Sequence, residues 1–135
     1  KIITKKNCNV EVIYNRTYDI ISSSKLSIVT SGTATLETAL LNTPQIVCYK
    51  SGNLNILLAK FFVKVKFISL VNLVCNKEVI KELIQNDVNE LNLKNEINSI
   101  INGKSEKIKK DYLILNRLIG SHGVSKKIAR HIFKN

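Results

Sequence analysis

Apolar positions along this chain fall into short β-branched runs separated by stretches of helical spacing, an alternation that predicts an α/β fold. Val10-Glu11-Val12-Ile13-Tyr14 reads as a first strand, followed by a short helix from about Thr17 to Ser23. Leu26-Ser27-Ile28-Val29-Thr30 and Gln45-Ile46-Val47-Cys48-Tyr49 are two further strand runs, the second introduced by Pro44. Between them Thr33 to Leu41 carries good helix formers, with apolar residues at Leu36, Ala39 and Leu40. Strand, helix and strand in that order form the building block of a parallel, Rossmann-like sheet. After a polar loop from Lys50 to Asn53, Leu54 to Val63 is apolar almost all round and reads as a buried helix. Val65 to Leu70 is the next expected strand, with Val71-Asn72-Leu73 as a loop at its C-terminal end. From Glu78 onward the pattern is helical, broken at Asn86-Asp87, at Gly103 and at the Gly120-Ser121-His122-Gly123 turn. Ser105 to Ile119 places Ile108, Tyr112, Leu115 and Ile119 on one face, and Val124 to Phe133 does the same with Ile128, Ala129 and Ile132. The expected division is a Rossmann-like domain over 1–85 and a helical C-terminal tail over 86–135.

The turn between the second strand run and its helix, Ser31 to Thr35, concentrates the candidate chemistry. Backbone N–H groups of Gly32, Thr33, Ala34 and Thr35 would lack intrahelical partners there and would point out of the C-terminal edge of the sheet, where anions and phosphates bind. Glu37, one turn into the helix, is close enough to accept hydrogen bonds from a pair of sugar hydroxyls. A diphosphate and a ribose would both be served. Ser31 or Thr33 capping the helix, with Glu37 complementing its dipole, would need no ligand at all. Asn72 can donate and accept, which suits a pyrophosphate oxygen or a sugar hydroxyl, although an Asx turn would use it equally well.

Composition narrows the remaining choices. Hydrophobic residues make up 44% of 135, enough for the core of one modest domain. The formal net charge of +11 calls for an acidic partner: nucleic acid, an anionic membrane surface or phosphorylated substrates. Against nucleic acid, the lysines are spread through the whole chain, Trp is absent, and a strand-helix-strand half has no place in a helix-turn-helix around Gly120 to Gly123. Cys8, Cys48 and Cys75 are widely spaced with no Cys-x-x-Cys pair, so they read as reduced thiols, with Cys48 a small core residue. Neither His122 nor His131 is placed to complete a metal site with them. Ser121-His122 follows no strand and reads as a corner between helices, not as a nucleophile elbow.

The stretch Ser31-Gly32-Thr33-Ala34-Thr35-Leu36-Glu37, followed by Ser69-Leu70-Val71-Asn72-Leu73 and the run Lys77 to Gln85, resembles the nucleotide-binding part of the lipid-A-disaccharide synthases. These are glycosyltransferases of the two-Rossmann-domain (GT-B) type. The resemblance extends from about Val10 to Gln85, including Tyr14 to Asp19, and more weakly into the tail. It implies the C-terminal, donor-binding part of such an enzyme, with UDP-2,3-diacylglucosamine as donor and 2,3-diacylglucosamine 1-phosphate as acceptor. The products would be the lipid A disaccharide phosphate and UDP, by an inverting hexosyl transfer that uses no metal and no cofactor. It further implies that Ser31, Gly32, Thr33, Ala34 and Thr35 meet the diphosphate, that Glu37 clamps the ribose and that Asn72 lies across the cleft. The catalytic carboxylate and a Gly-Ser-Arg loop belong, in that family, to segments with no match here, so no residue of this chain is assigned as catalytic and isolated catalysis is not expected. The chain starts at Lys1 and has no Met, and is expected to be part of a longer bacterial protein. A cytoplasmic location on the inner face of the cytoplasmic membrane is implied, and a homodimer is compatible with it. Leu57, Leu58, Phe61 and Phe62, interleaved with lysines, offer apolar side chains either to the core or to that lipid surface. Another UDP-sugar enzyme of the same architecture, an N-acetylglucosaminyltransferase or an epimerase, is the alternative within the fold.

Overall fold

The structure is a computed structural model that describes residues 10–30, 32–50 and 66–120. Three parallel strands, β1 (Ser27–Val29), β2 (Gln45–Tyr49) and β3 (Lys81–Ile84), lie in the order β1-β2-β3. Ser27 pairs with Gln45 across the first ladder, and Val47 with Glu82 across the second. Central β2 buries Ile46 and Val47 completely, as a strand covered on both faces must. Helix α1 (Thr17–Ser23) buries no side chain, and its serines bond back to carbonyls three or four residues earlier, a competition with the helix ladder that ends it early. The Thr43 hydroxyl ties it down by donating to the Ile21 carbonyl at 2.8 Å.

Helix α2 (Thr33–Leu40) crosses from β1 to β2 and packs against α3 (Leu70–Cys75). Asparagines supply the left-handed corners: Asn42 has φ 58° in the turn into β2, and Asn76 has φ 50° as the C-cap of α3. Helix α4 (Glu90–Ser99) is opened by Asn89, whose side chain accepts from the Asn92 amide at 2.9 Å, and packs beside β3. A wide turn, Ile100–Lys104, joins it to α5 (Ser105–Ile119), with Gly103 at φ 126° providing the bend. Ile108, Tyr112 and Leu115 on α5 join Ala39, Ile46, Val47, Val71, Ile80 and Leu83 in one core. The Lys77 ammonium meets the largely buried Asp111 carboxylate at 2.6 Å and fastens α5 to the loop after α3.

The α/β architecture, the helix Thr17–Ser23, the strand-helix-strand unit and the helix Ser105–Ile119 match the sequence reading. Three expectations are corrected. Val10 to Tyr14 forms no strand: Val10, Val12, Ile13 and Tyr14 are all exposed, and the alternation has no sheet to join among the described residues. Residues 66–69 are irregular and Leu70–Cys75 is helical, because the amides of Ile68 and Ser69 are taken by the Glu82 carboxylate and Ser69 caps the helix that follows. Lys81–Ile84 is a strand within a segment expected to be helical, since pairing with the buried edge of β2 outweighs the local helix propensity of its lysine and glutamate. Ile108, Tyr112 and Leu115, which the sequence places on one face, pack into the sheet's own core. The runs Leu54–Val63 and Val124–Phe133, with Ser121 and His122, lie outside the described residues.

Candidate functional site

Strands β1, β2 and β3 end on the same edge of the sheet, at Val29, Tyr49 and Ile84. From the first of these ends the chain turns at Gly32 (φ 130°, ψ −161°) and enters α2 directly. A Cβ at Gly32 would meet no atom within 4 Å, so the requirement for glycine is conformational and not steric. No side chain caps this helix, and the amides of Gly32, Thr33 and Ala34 have no acceptor among the described residues. Three donors and the positive end of the helix dipole therefore converge at the edge of a parallel sheet, a geometry that attracts an anion.

Thr33 is exposed and Glu37 half-buried one turn further on, on the same face of α2. The Glu37 carboxylate has no hydrogen-bond or ion-pair partner among the described residues. It is thus available to accept from two hydroxyls of a ligand whose anionic group sits at the helix end. Ser31 lies outside the described residues. The turn also shows which candidates face inward. Thr35 is wholly buried, and both its amide (3.2 Å) and its hydroxyl (2.8 Å) donate to the Gly32 carbonyl. Thr38 likewise donates to the Ala34 carbonyl at 2.8 Å. Thr35 therefore closes the turn with both of its donors on the Gly32 carbonyl, where the sequence reading expected them at the diphosphate.

Asn72, expected across the cleft, is placed inside the fold. It is fully buried in α3, with Nδ2 donating to the Ile80 carbonyl at 2.9 Å and to Glu82 Oε1 at 2.8 Å. Its Oδ1 accepts from the amides of Val79 at 2.8 Å and Ile80 at 3.1 Å. A primary amide has two N–H donors and two lone pairs on oxygen, and here all four are engaged, leaving nothing for a ligand across the cleft. Its task is to hold the chain that enters β3.

Glu82, which the sequence reading did not single out, is the other half of that arrangement. Its Oε2 accepts from the Ile68 amide (2.9 Å), while Oε1 accepts from the Ser69 amide (3.0 Å), the Ser69 hydroxyl (2.7 Å) and Asn72. Ser69 in turn caps α3 by accepting from the Asn72 amide. The spacing Ser69-x-x-Asn72 is a capping signal legible in the sequence, whereas Glu82 could be found only by knowing that Lys81–Ile84 is a strand.

A separate cleft of about 390 Å³ between β3 and α4 is lined by Lys81, Glu82, Leu83, Asp87, Asn92, Asn95 and Glu96. Three carboxylates against one ammonium make it a poor host for a diphosphate, and Glu82 and Glu96 are committed to other partners. Burial raises the thiol pKa of Cys48, and of Cys75, where nearby Lys77 lowers it and Asp111 raises it. Neither is an activated nucleophile. No group of three or more His, Cys, Asp or Glu residues that could hold a metal ion occurs among the described residues.

The sequence relationships converge on the family that the turn's residues resemble. A family model described as lipid-A-disaccharide synthetase matches residues 1–133. A lipid-A-disaccharide synthase from Syntrophus aciditrophicus is 45% identical over 92 residues, covering 68% of this chain and 24% of that protein. The synthase from Wigglesworthia glossinidia brevipalpis is 39% identical over 112 residues, 82% of this chain and 29% of its own length. One from Acinetobacter baylyi is 40% identical over 89 residues, 66% and 22% respectively. The chain thus spans less than a third of the curated relatives it matches, and within that span it belongs to the lipid-A-disaccharide synthetase family.

Proposed function

We propose that this chain is the donor-binding part of a lipid-A-disaccharide synthase. Such an enzyme moves 2,3-diacylglucosamine from UDP-2,3-diacylglucosamine to 2,3-diacylglucosamine 1-phosphate and releases UDP. The observation that carries it is the N-terminus of α2 at the sheet's C-terminal edge, with no side-chain cap and with Glu37 one turn inside, unpartnered among the described residues. The amides of Gly32, Thr33 and Ala34, with the hydroxyls of Ser31 and Thr33, would hold the diphosphate. Glu37 would accept from the two ribose hydroxyls. As the glycosidic bond breaks, negative charge grows on the departing UDP, and donors already aimed at that diphosphate stabilise the transition state more than the ground state. No metal is required for that role. The catalytic base and the acceptor site would come from the part of the protein outside this chain, residues 1–85 would carry the donor, and the helices from residue 86 would support that sheet.

Both substrates carry acyl chains, which would bring the reaction to the inner face of the cytoplasmic membrane. The formal net charge of +11 favours such an anionic surface. The association would be peripheral, as the family resemblance implies; no helix among the described residues is long and apolar enough to cross a membrane. Charge alone supports nucleic-acid binding, and no described feature offers a face for reading bases. Calorimetric titration of the full-length protein with UDP, in competition with UDP-2,3-diacylglucosamine and with unacylated UDP-N-acetylglucosamine, tests the assignment. The diacylated donor should displace UDP more effectively than the unacylated one. Equal displacement by both would favour another UDP-sugar enzyme of the same fold.

A further inference from the structure

Gln45 sits in its strand against the grain of the sequence around it. It opens β2 immediately before Ile46 and Val47 and is as fully buried as they are. Its Nε2 donates to the Thr35 carbonyl at 2.9 Å and to the Tyr112 hydroxyl at 3.0 Å, while its Oε1 meets no donor among the described residues. A buried amide oxygen left without a donor is destabilising, and an apolar side chain of similar volume would avoid the defect. A glutamine whose oxygen meets no donor among the described residues, at a position where an apolar side chain would fit, points to a use for the two bonds that it does make. Both converge on the turn. Thr35 lies in the first turn of α2, and its amide and hydroxyl close on the Gly32 carbonyl. A buried path therefore runs from Tyr112 on α5, through Gln45 on β2, to the backbone of the turn whose free amides face outward.

We propose that Gln45 and Tyr112 are positioning residues for the diphosphate: they grip the first turn of α2 from behind and fix the direction in which the amides of Gly32, Thr33 and Ala34 point. The proposal rests on the donor-site assignment above. The two parts of Tyr112 have separate tasks. Its ring fills the core between Ile108 and Leu115, while its hydroxyl oxygen accepts from Gln45 and sets the rotation of that amide. Tyr112→Phe leaves the ring in place and releases the amide, so that the Thr35 carbonyl loses a held partner without a cavity being opened. Three elements that are distant in sequence thereby act on one turn.

The test uses the full-length protein, Tyr112→Phe, and the double variant Gln45→Met with Tyr112→Phe. Thermal midpoint, UDP affinity by calorimetry, and amide hydrogen exchange along α2 are measured for each. The double variant loses the oxygen that meets no donor among the described residues together with the Tyr112 hydroxyl, so its thermal midpoint should equal or exceed the wild type's. UDP binding should weaken by about five- to tenfold in both variants, the scale on which small misplacement of binding groups acts. Exchange at Glu37 to Ala39 should quicken, and the KM for the donor should rise while that for the acceptor stays unchanged. Wild-type UDP affinity in both variants, with UDP bound by the parent, would overturn the positioning role and leave the donor site standing. A loss of affinity that appears only where thermal stability also falls would reduce the pair to core packing and overturn it as well. A parent protein that binds no UDP would remove the donor site, and the positioning role with it.

Discussion

At the scale of single residues, the site divides into groups that face outward and groups that hold them. Glu37 belongs to the first kind. Replacing it with Ala should leave the fold intact and weaken UDP binding by roughly tenfold to a hundredfold, the worth of one or two charge-assisted hydrogen bonds. Calorimetry on Glu37→Ala against uridine-free and uridine-containing diphosphates checks the ribose role directly: inorganic pyrophosphate should be unaffected. Asn72 belongs to the second kind. Asn72→Leu should lower stability by about 2–5 kcal/mol by stranding the amides of Val79 and Ile80 and a donor-starved Glu82, as read by denaturant unfolding. A direct ligand role would instead leave stability unchanged. The contrast shows how far residue chemistry was legible. Gly32 was readable as a turn because what closes it is local: the Thr35 amide and hydroxyl donate to its carbonyl within one turn of the same helix. Asn72 was readable as a versatile amide, but its partners lie eight and ten residues away in a segment whose conformation the local pattern misassigns. Gln45 gave no signal of its own, since a polar residue at the start of a strand looks like an ordinary strand end.

Elements were legible where periodicity and punctuation agree. Ser105–Ile119 declares itself by Ile108, Tyr112 and Leu115 at helical spacing and by glycines near both ends. Gln45–Tyr49 declares itself by Pro44 and an apolar run. Lys77 to Gln85 did neither, because its lysines and glutamates favour a helix and only the bare edge of β2 makes a strand of it. Helix α3 was hidden for a related reason: six residues carry little periodicity, and its start depends on Glu82 gathering the amides of Ile68 and Ser69. Glu82→Ala should therefore loosen α3 in particular. Its amides should exchange at least tenfold faster while those of α5 keep their protection, a selectivity that uniform destabilisation would not produce. Gln85, at φ 51° directly after β3, is a further consequence of that strand ending abruptly at the sheet's C-terminal edge.

For the molecule as a whole, the core that joins β2, α2, α3 and α5 makes stability and site geometry a single problem. Burial raises the Tyr112 pKa, with its hydrogen bond to Gln45 acting in the opposite sense and prevailing less. An unfolded tyrosine titrates near pH 10, so the stabilisation is fully present below that pH. As the pH rises further the unfolded chain loses its proton while the folded one keeps it, and stability falls by up to about 1.4 kcal/mol per pH unit. Alkaline unfolding should be blunted in Tyr112→Phe relative to the parent when both are followed by circular dichroism from pH 9 to 11. The free amides at Gly32, Thr33 and Ala34 are the central feature, and an amide-resolved NMR titration of the full-length protein with UDP reports on them most directly. The account predicts that the largest shifts fall on Gly32, Thr33 and Ala34, with Glu37 following and the cleft between β3 and α4 silent. Shifts confined to that cleft, or a turn that does not respond to saturating UDP, would contradict it.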